Sequence, residues 1–256
     1  MTNEEILRIA KMQSAFDCGC SPEDFDKSEN VITVSKAHPL SRKYLSYPMT
    51  CDLVSYGTNI VAQTSVELEG AVKSYIDTYP IEHCFETPHM HVLEDILRPH
   101  GQSICFLAEY FLPDVEQIKP LSCGYELRLL VQEDFQELYL PQWSNALCEK
   151  RKKLDVLGVG AYDKGQLIGL AGCSADCEMM YQIGVDVLPA YRRQGIAAAL
   201  TSHLAAEILA RNKVPFYCAA WSNIRSVRNA IRCGFRPAWV QLTAKNVSFV
   251  EEMNRL

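Results

Sequence analysis

The 256-residue chain has no surplus of positive charge: 25 lysines and arginines stand against 31 aspartates and glutamates, a formal net charge of −6. With no basic, aromatic-interleaved patch either, there is no electrostatic case for nucleic acid or for an anionic membrane as partner. No apolar run is long enough to span a bilayer. The opening residues, Met1-Thr2-Asn3-Glu4-Glu5-Ile6, are polar and acidic, unlike a signal peptide. Repeats and low-complexity tracts are missing as well. Neither Gly-x-x-x-x-Gly-Lys-[Ser/Thr] nor Gly-x-Gly-x-x-Gly occurs, which excludes the phosphate loop of nucleotide hydrolases and the dinucleotide fingerprint.

The eleven cysteines are odd in number, scattered, and set in apolar surroundings such as Ile104-Cys105-Phe106. That pattern fits free thiols in a reducing cytoplasm better than a secreted disulfide framework. Cys18-x-Cys20 is too tight for a zinc knuckle. His83-Cys84 with His89-x-His91 could gather around a metal, but no second Cys-x-x-Cys pair completes a tetrahedral set. These residues are expected to be ordinary polar and core groups, and no metal is expected.

The length suits one large or two modest domains. In the first half, Glu4 to Phe16 has helical apolar spacing, and Ser21-Pro22-Glu23-Asp24 suits a one-turn helix with Pro at its first position. Val31 to Val34, Thr50 to Tyr56 and Ile60 to Ala62 read as strands, the last two forming a hairpin around Gly57-Thr58-Asn59. Val66 to Tyr79 and Met90 to Leu97 read as helices, and Ser103 to Leu107 as a strand. The loop-like Pro113 to Gly124 sets the expected boundary: an α/β domain over 1–122 and a second domain over 123–256.

In the second half, Glu126 to Val131 alternates as a strand. Gln132 to Tyr139 and Ser144 to Lys153 read as helices split by Pro141. Val156 to Tyr162 and Gln166 to Ala175 form a hairpin about Asp163-Lys164-Gly165. Tyr181 to Val187 alternates again and stops before Pro189. From Ile196 on, Leu200, Leu204 and Ile208 draw an apolar helical stripe. Val214 to Cys218 and Phe235 to Thr243 are strands.

Between Val187 and that helix lies Arg192-Arg193-Gln194-Gly195. A helix start presents unpaired N–H groups and partial positive charge. Gly195 removes bulk beside them, and two guanidiniums suit phosphate oxygens. The sum is an anion site of the diphosphate type; a helix start with basic residues on a solvated loop reads equally well.

Arg192-x-x-Gly195-x-Ala197, preceded by Val187-x-Pro189, resembles the acyl-CoA-binding motif of the GNAT superfamily of N-acetyltransferases. Trp221-Ser222-Asn223-Ile224-Arg225-Ser226, then Ala230 and Gly234-Phe235, resembles that family's next helix. The resemblance covers Tyr125 to Lys245. It implies a mixed α/β fold whose mostly antiparallel, splayed sheet is flanked by helices, after a smaller α/β domain. Similar N-terminal halves precede the acetyltransferase half in some bacterial proteins, implying a packing or substrate-shaping role.

The resemblance also implies roles. The pantetheine arm of acetyl-CoA, the co-substrate, would pair with the backbone of Ile183, Val185 and Val187. The diphosphate would sit on N–H groups of Arg193, Gln194, Gly195, Ile196, Ala197 and Ala198, beside Arg192. Asn223 would touch the pantetheine arm, and it also suits a plain helix cap. Where many members place a catalytic Glu, this chain has Tyr181, with Glu178 as the nearby carboxylate. Where many carry a Tyr acid, it has Ala230. The expected activity is transfer of an acetyl group to a primary amine of a small molecule or peptide, in a cytoplasmic protein whose assembly, a homodimer included, is left open. The alternative is a non-catalytic acyl-CoA-binding sensor or partner-binding module.

Overall fold

The computed structural model describes residues 1–255. In chain order the elements are α1 (Asn3–Cys18), β1 (Val31–Val34), β2 (Cys51–Ser55), β3 (Val61–Thr64), α2 (Glu69–Thr78), α3 (Thr87–Leu97) and β4 (Gln102–Pro113). They are followed by β5 (Glu126–Val131), β6 (Asp155–Asp163), β7 (Gln166–Ser174), β8 (Met180–Val187), α4 (Ile196–Ala210), β9 (Val214–Ala220), α5 (Ile224–Arg232), β10 (Phe235–Asn246) and α6 (Val247–Met253). The expected strands and most helices are present. α6 has no counterpart in the sequence reading, and β4 runs well past Leu107.

Chain contacts divide the protein into two compact units, Met1–Ile9 with Phe111–Pro237, and Ala10–Tyr110 with the stretch from Ala238 on. The loop-like Pro113 to Gly124 by itself suggests one linear boundary at 122/123. From Val240 to Thr243, β10 pairs antiparallel with β2, opposite Ser55 to Asp52, so this late stretch belongs with the earlier part of the chain.

The unit holding Phe111–Pro237 is a mixed sheet in the order β9-β8-β7-β6-β5. β5 to β8 are antiparallel neighbours, whereas β8 and β9 run parallel. The β6–β7 hairpin turns through Lys164 (φ 48°) and Gly165 (φ 85°), the left-handed pair that a two-residue turn requires. The α4 stripe reads as the spacing said: Leu200, Leu204 and Ile208 are fully buried against the sheet.

The two helices expected at 132–139 and 144–153 do not form. The structure has only 3-10 turns there, at Gln132–Phe135, Pro141–Trp143 and Glu149–Leu154. The cause lies across the sheet. Gly172 and Gly184 are register partners on β7 and β8, and neither has a side chain to hold the chain off. A Cβ on Gly184 would stand 1.8 Å from the Asn145 carbonyl oxygen, and one on Gly172 2.2 Å from that of Ala146. Asp186 then draws in the same segment. Its carboxylate accepts from the N–H of Asn145 (2.9 Å), the Asn145 side-chain amide (2.6 Å) and the N–H of Ala146 (3.0 Å).

In the unit holding Ala10–Tyr110, β1 lies parallel to β3, and β3 lies antiparallel to β2. α2 and α3 bury Val72, Ile76, Leu93 and Leu97 against Leu53, Ala62 and Leu242. The last turn of α1 finds side-chain donors for its exposed carbonyls. Ser41 Oγ donates to Phe16 O (3.0 Å), Tyr47 Oη to Asp17 O (2.6 Å) and Thr33 Oγ1 to Cys18 O (2.6 Å). These bonds satisfy the acceptors that a helix end leaves open. The buried Asp17 carboxylate pairs with Arg42 at 2.5 Å.

All eleven cysteines are free thiols. Among the described residues, no group of three or more His, Cys, Asp or Glu could hold a metal. No helix among them is long and apolar enough to cross a membrane.

Candidate functional site

β8 and β9 pair from Met180↔Val214 to Ile183↔Tyr217 and then part. β8 continues to Val187 and β9 to Ala220. On its other edge β8 stays paired with β7 as far as Val187↔Gly169, and the Leu188 N–H donates to Ile168 O at 2.9 Å. In an antiparallel pair, residues alternate between facing the partner and facing away. Leu188 faces β7, so Asp186 and Gly184 do too. Val187, Val185 and Ile183 therefore turn their N–H and C=O groups toward the β9 side. Ile183 lies on the last rung, and beyond it β9 no longer supplies partners. The Val187 carbonyl accepts from Arg192 Nε at 3.1 Å. Val185 thus lies on an open edge inside a sheet, a place where an extended ligand with amide groups can add itself as a strand.

The open edge leads into the start of α4. After a 3-10 turn at Pro189–Tyr191, Arg193 (φ 67°) and Gly195 (φ 81°) both adopt the left-handed conformation. The first intrahelical bond runs from the Ala199 N–H to Gly195 O (3.0 Å), so the amides of Ile196, Ala197 and Ala198 fall in the turn without helical acceptors. Arg192, Arg193 and Gln194 are exposed, and space around Gly195 is open: a Cβ there would meet nothing within 4 Å. Alternating left-handed residues at a helix start aim several N–H groups at one point and favour anions.

Three side chains hold this loop in place, and the sequence reading singled out none of them. Tyr125 Oη donates to Gln194 Oε1 (2.7 Å), and Tyr191 Oη donates to Asp163 Oδ2 (3.0 Å). The two rings meet edge to face at 5.8 Å. Donation to the Asp163 carboxylate raises the Tyr191 hydroxyl above its ordinary pKa. Tyr125 and Gln194 lie 69 positions apart, beyond any local pattern.

Asn223 caps α5, accepting the Ser226 N–H on its side-chain oxygen at 3.3 Å, and is exposed. Tyr181 is half-buried on β8, opposite Pro215, and burial raises its hydroxyl pKa. Glu178 is exposed in the bend that precedes β8. It lies five residues before Ile183, roughly 16 Å along a strand, at the end of β8 away from the parting. Ala230 is fully buried in the core around α4. The Cys233 thiol, buried and donating to Ala198 O at 3.3 Å, is pushed up to about 12 by desolvation, which removes it as a nucleophile. The structure thus gathers Ile183, Val185, Val187 and residues 192–198 into one contiguous path, with Glu178 at its far end.

Solved structures that resemble the chain include a GNAT-family protein from Novosphingobium aromaticivorans (21% identity, 56% of this chain and 66% of that one, TM-score 0.43). A GCN5-related N-acetyltransferase-like protein from Streptococcus suis has 20% identity over 62% of this chain and 69% of that one, TM-score 0.45. A GCN5-related N-acetyltransferase from Kribbella flavida has 16% identity over 60% and 63%, TM-score 0.48. The chain spans about two thirds of the length of these structures. No curated protein matches it. The family model for the GNAT acetyltransferase matches residues 97–238, more than half of the chain, and takes in both the parted strands and the α4 loop. The chain belongs to the GNAT acetyltransferase family.

Proposed function

We propose that the protein is an acyl-CoA-dependent N-acyltransferase that uses acetyl-CoA and delivers its acetyl group to a primary amine of a small molecule or peptide. The observation that carries this reading is the parting of β8 from β9 after Ile183↔Tyr217, which leads into the left-handed loop at Arg193 and Gly195. In this reading the pantetheine amides pair with Val185 and the neighbouring backbone of Ile183 and Val187. The diphosphate rests on the amides from Arg193 to Ala198, with Arg192 and Arg193 beside it. Asn223 meets the arm from the head of α5.

The reaction follows from that placement. A neutral amine attacks the thioester carbonyl carbon, and the tetrahedral adduct collapses with loss of the thiolate. The amine must first surrender a proton to a base or to a water chain. Of the two sequence candidates, burial keeps the Tyr181 hydroxyl protonated, whereas Glu178 is exposed at the end of β8 away from the parting and would receive the amine's proton only through a chain of waters. The test is turnover of acetyl-CoA with a panel of amines. CoA release is followed chromatographically, because the protein's five partly exposed free thiols would react with a colorimetric reagent. Acetylated product is the expected result. Tight CoA binding without turnover on any amine would refute transfer.

Ala230, an inert methyl where many relatives carry a hydroxyl, favours a second reading: an acyl-CoA-binding sensor or partner-binding module without catalysis. That reading expects thermal stabilisation by acetyl-CoA and no CoA release.

A further inference from the structure

An anion loop binds best when its donors already point the right way, because ordering them no longer subtracts from affinity. This loop does not hold itself. Arg193 is left-handed at φ 67° and Gly195 at 81°, and Arg193 carries a side chain that disfavours that region. Arg192, Arg193 and Gln194 are exposed, so burial does not fix them. Gln194, between the two left-handed residues, is fixed from outside the loop: Tyr125 Oη donates to its Oε1 at 2.7 Å. Tyr125 directly precedes β5 and packs, half-buried, on the core around α4. Its ring meets that of Tyr191, whose hydroxyl is held by Asp163 at the end of β6. The bond also sorts the two ends of the Gln194 side chain. Tyr125 takes up the carbonyl oxygen. The Nε2 donors have no partner among the described residues and stand on the same loop as the open amides of Ile196 to Ala198.

We propose that Tyr125 is a positioning residue for the acyl donor: acting through Gln194, it holds the loop amides in place and leaves the Gln194 side-chain N–H groups to the diphosphate. This assignment rests on the acyl-CoA reading above. Tyr125 acts on the loop and not on the reacting atoms, so its effect is confined to ligands that carry the diphosphate. Pantetheine has the thiol and both amides of the arm but no phosphate, and it reaches the open edge at Val185 without the loop. Selectivity for coenzyme A over the bare arm therefore depends on a hydroxyl 69 positions earlier in the chain.

The experiment compares the unaltered protein with Tyr125→Phe, Gln194→Ala and the double variant. Affinities are measured by calorimetry for CoA and by ligand-observed NMR titration for pantetheine, so that neither needs turnover. Tyr125→Phe, which keeps the ring against Tyr191, is expected to weaken CoA binding about five- to tenfold, what one net hydrogen bond contributes. Its affinity for pantetheine should not change. Gln194→Ala should weaken CoA at least as much, and the double variant no further than Gln194→Ala alone, because the tyrosine acts through the glutamine. Unchanged CoA affinity in Tyr125→Phe overturns the assignment. So does an equal loss for CoA and pantetheine, which marks a general structural role, or a double variant that sums the two losses. If the unaltered protein binds CoA no tighter than pantetheine, the diphosphate reading of the loop falls and this assignment with it; a preference left undiminished by Tyr125→Phe removes the assignment alone.

Discussion

Gly195 separates two reasons for a glycine at an anion loop. One is conformation: its φ of 81° is a region that L-residues rarely occupy. The other is approach: a side chain would stand between ligand and backbone. On the protein side there is no obstruction, since a Cβ at Gly195 meets nothing within 4 Å. Any folding cost of a substitution is therefore a backbone cost. For valine, β-branched and poorly suited to positive φ, that cost is about 1–2 kcal/mol. At about 2–4 °C per kcal/mol for a chain of this size, Gly195→Val should lower the melting temperature by about 2–8 °C. Asparagine tolerates the left-handed region, so Gly195→Asn should cost a fraction of that. Thermal melts of the two variants read the first effect, and calorimetric titration with CoA reads the second. If the fixed direction of the 195–198 amides holds the diphosphate, valine should weaken CoA binding at least about tenfold, equal to 1.4 kcal/mol. Asparagine should then retain most of the affinity. Equal melting temperatures for both variants would refute the backbone argument. Equal, unimpaired CoA binding by both would refute the anion-loop reading.

Gly184→Ala places a Cβ 1.8 Å from the Asn145 carbonyl oxygen, so the crossing segment must move; a loss of about 1–3 kcal/mol is expected from chemical denaturation. Asp186→Ala removes three hydrogen bonds to Asn145 and Ala146 and should cost about 1–3 kcal/mol, with faster amide exchange confined largely to residues 143–148. Burial raises the Asp52 carboxyl above its ordinary value of 3.8, against hydrogen bonds from Thr243, Gln241 and Gln63 that lower it. The folded protein therefore binds more protons than the unfolded one between 3.8 and the folded pKa, and stability attributable to Asp52 falls as pH rises through that window. Asp52→Asn should flatten the slope of stability against pH there; an unchanged slope would assign it to other groups. Glu178→Gln should lower kcat for amine acetylation while leaving CoA affinity intact, and an unaltered kcat would remove Glu178 as the start of the proton path.

The strands and the α4 stripe were legible because period and burial agree: Leu200, Leu204 and Ile208 repeat every four residues and all face one core. The Arg192–Gly195 loop was legible because its chemistry is local. What escaped was set by contacts distant in sequence. Helical spacing over 144–153 lost to two glycines and a carboxylate 26 to 41 positions further along the chain. The tyrosines that brace the loop left no trace, because their partners lie on other elements.

Both compact units are assembled from two pieces of chain, and each piece of one is separated by a piece of the other. No single cut can release either of them whole. A fragment starting at residue 123 forfeits Leu121, whose N–H donates to Ser202 Oγ on α4 at 2.9 Å, and Phe111, which is fully buried in the core around α4. The complementary fragment loses Gln241 and Thr243, two of the three side chains that donate to Asp52. Severing at the obvious linker should therefore yield two sticky, poorly melting halves. Biosynthesis meets the same constraint: the unit that opens at Ala10 waits for residues beyond Pro237 before its sheet can close.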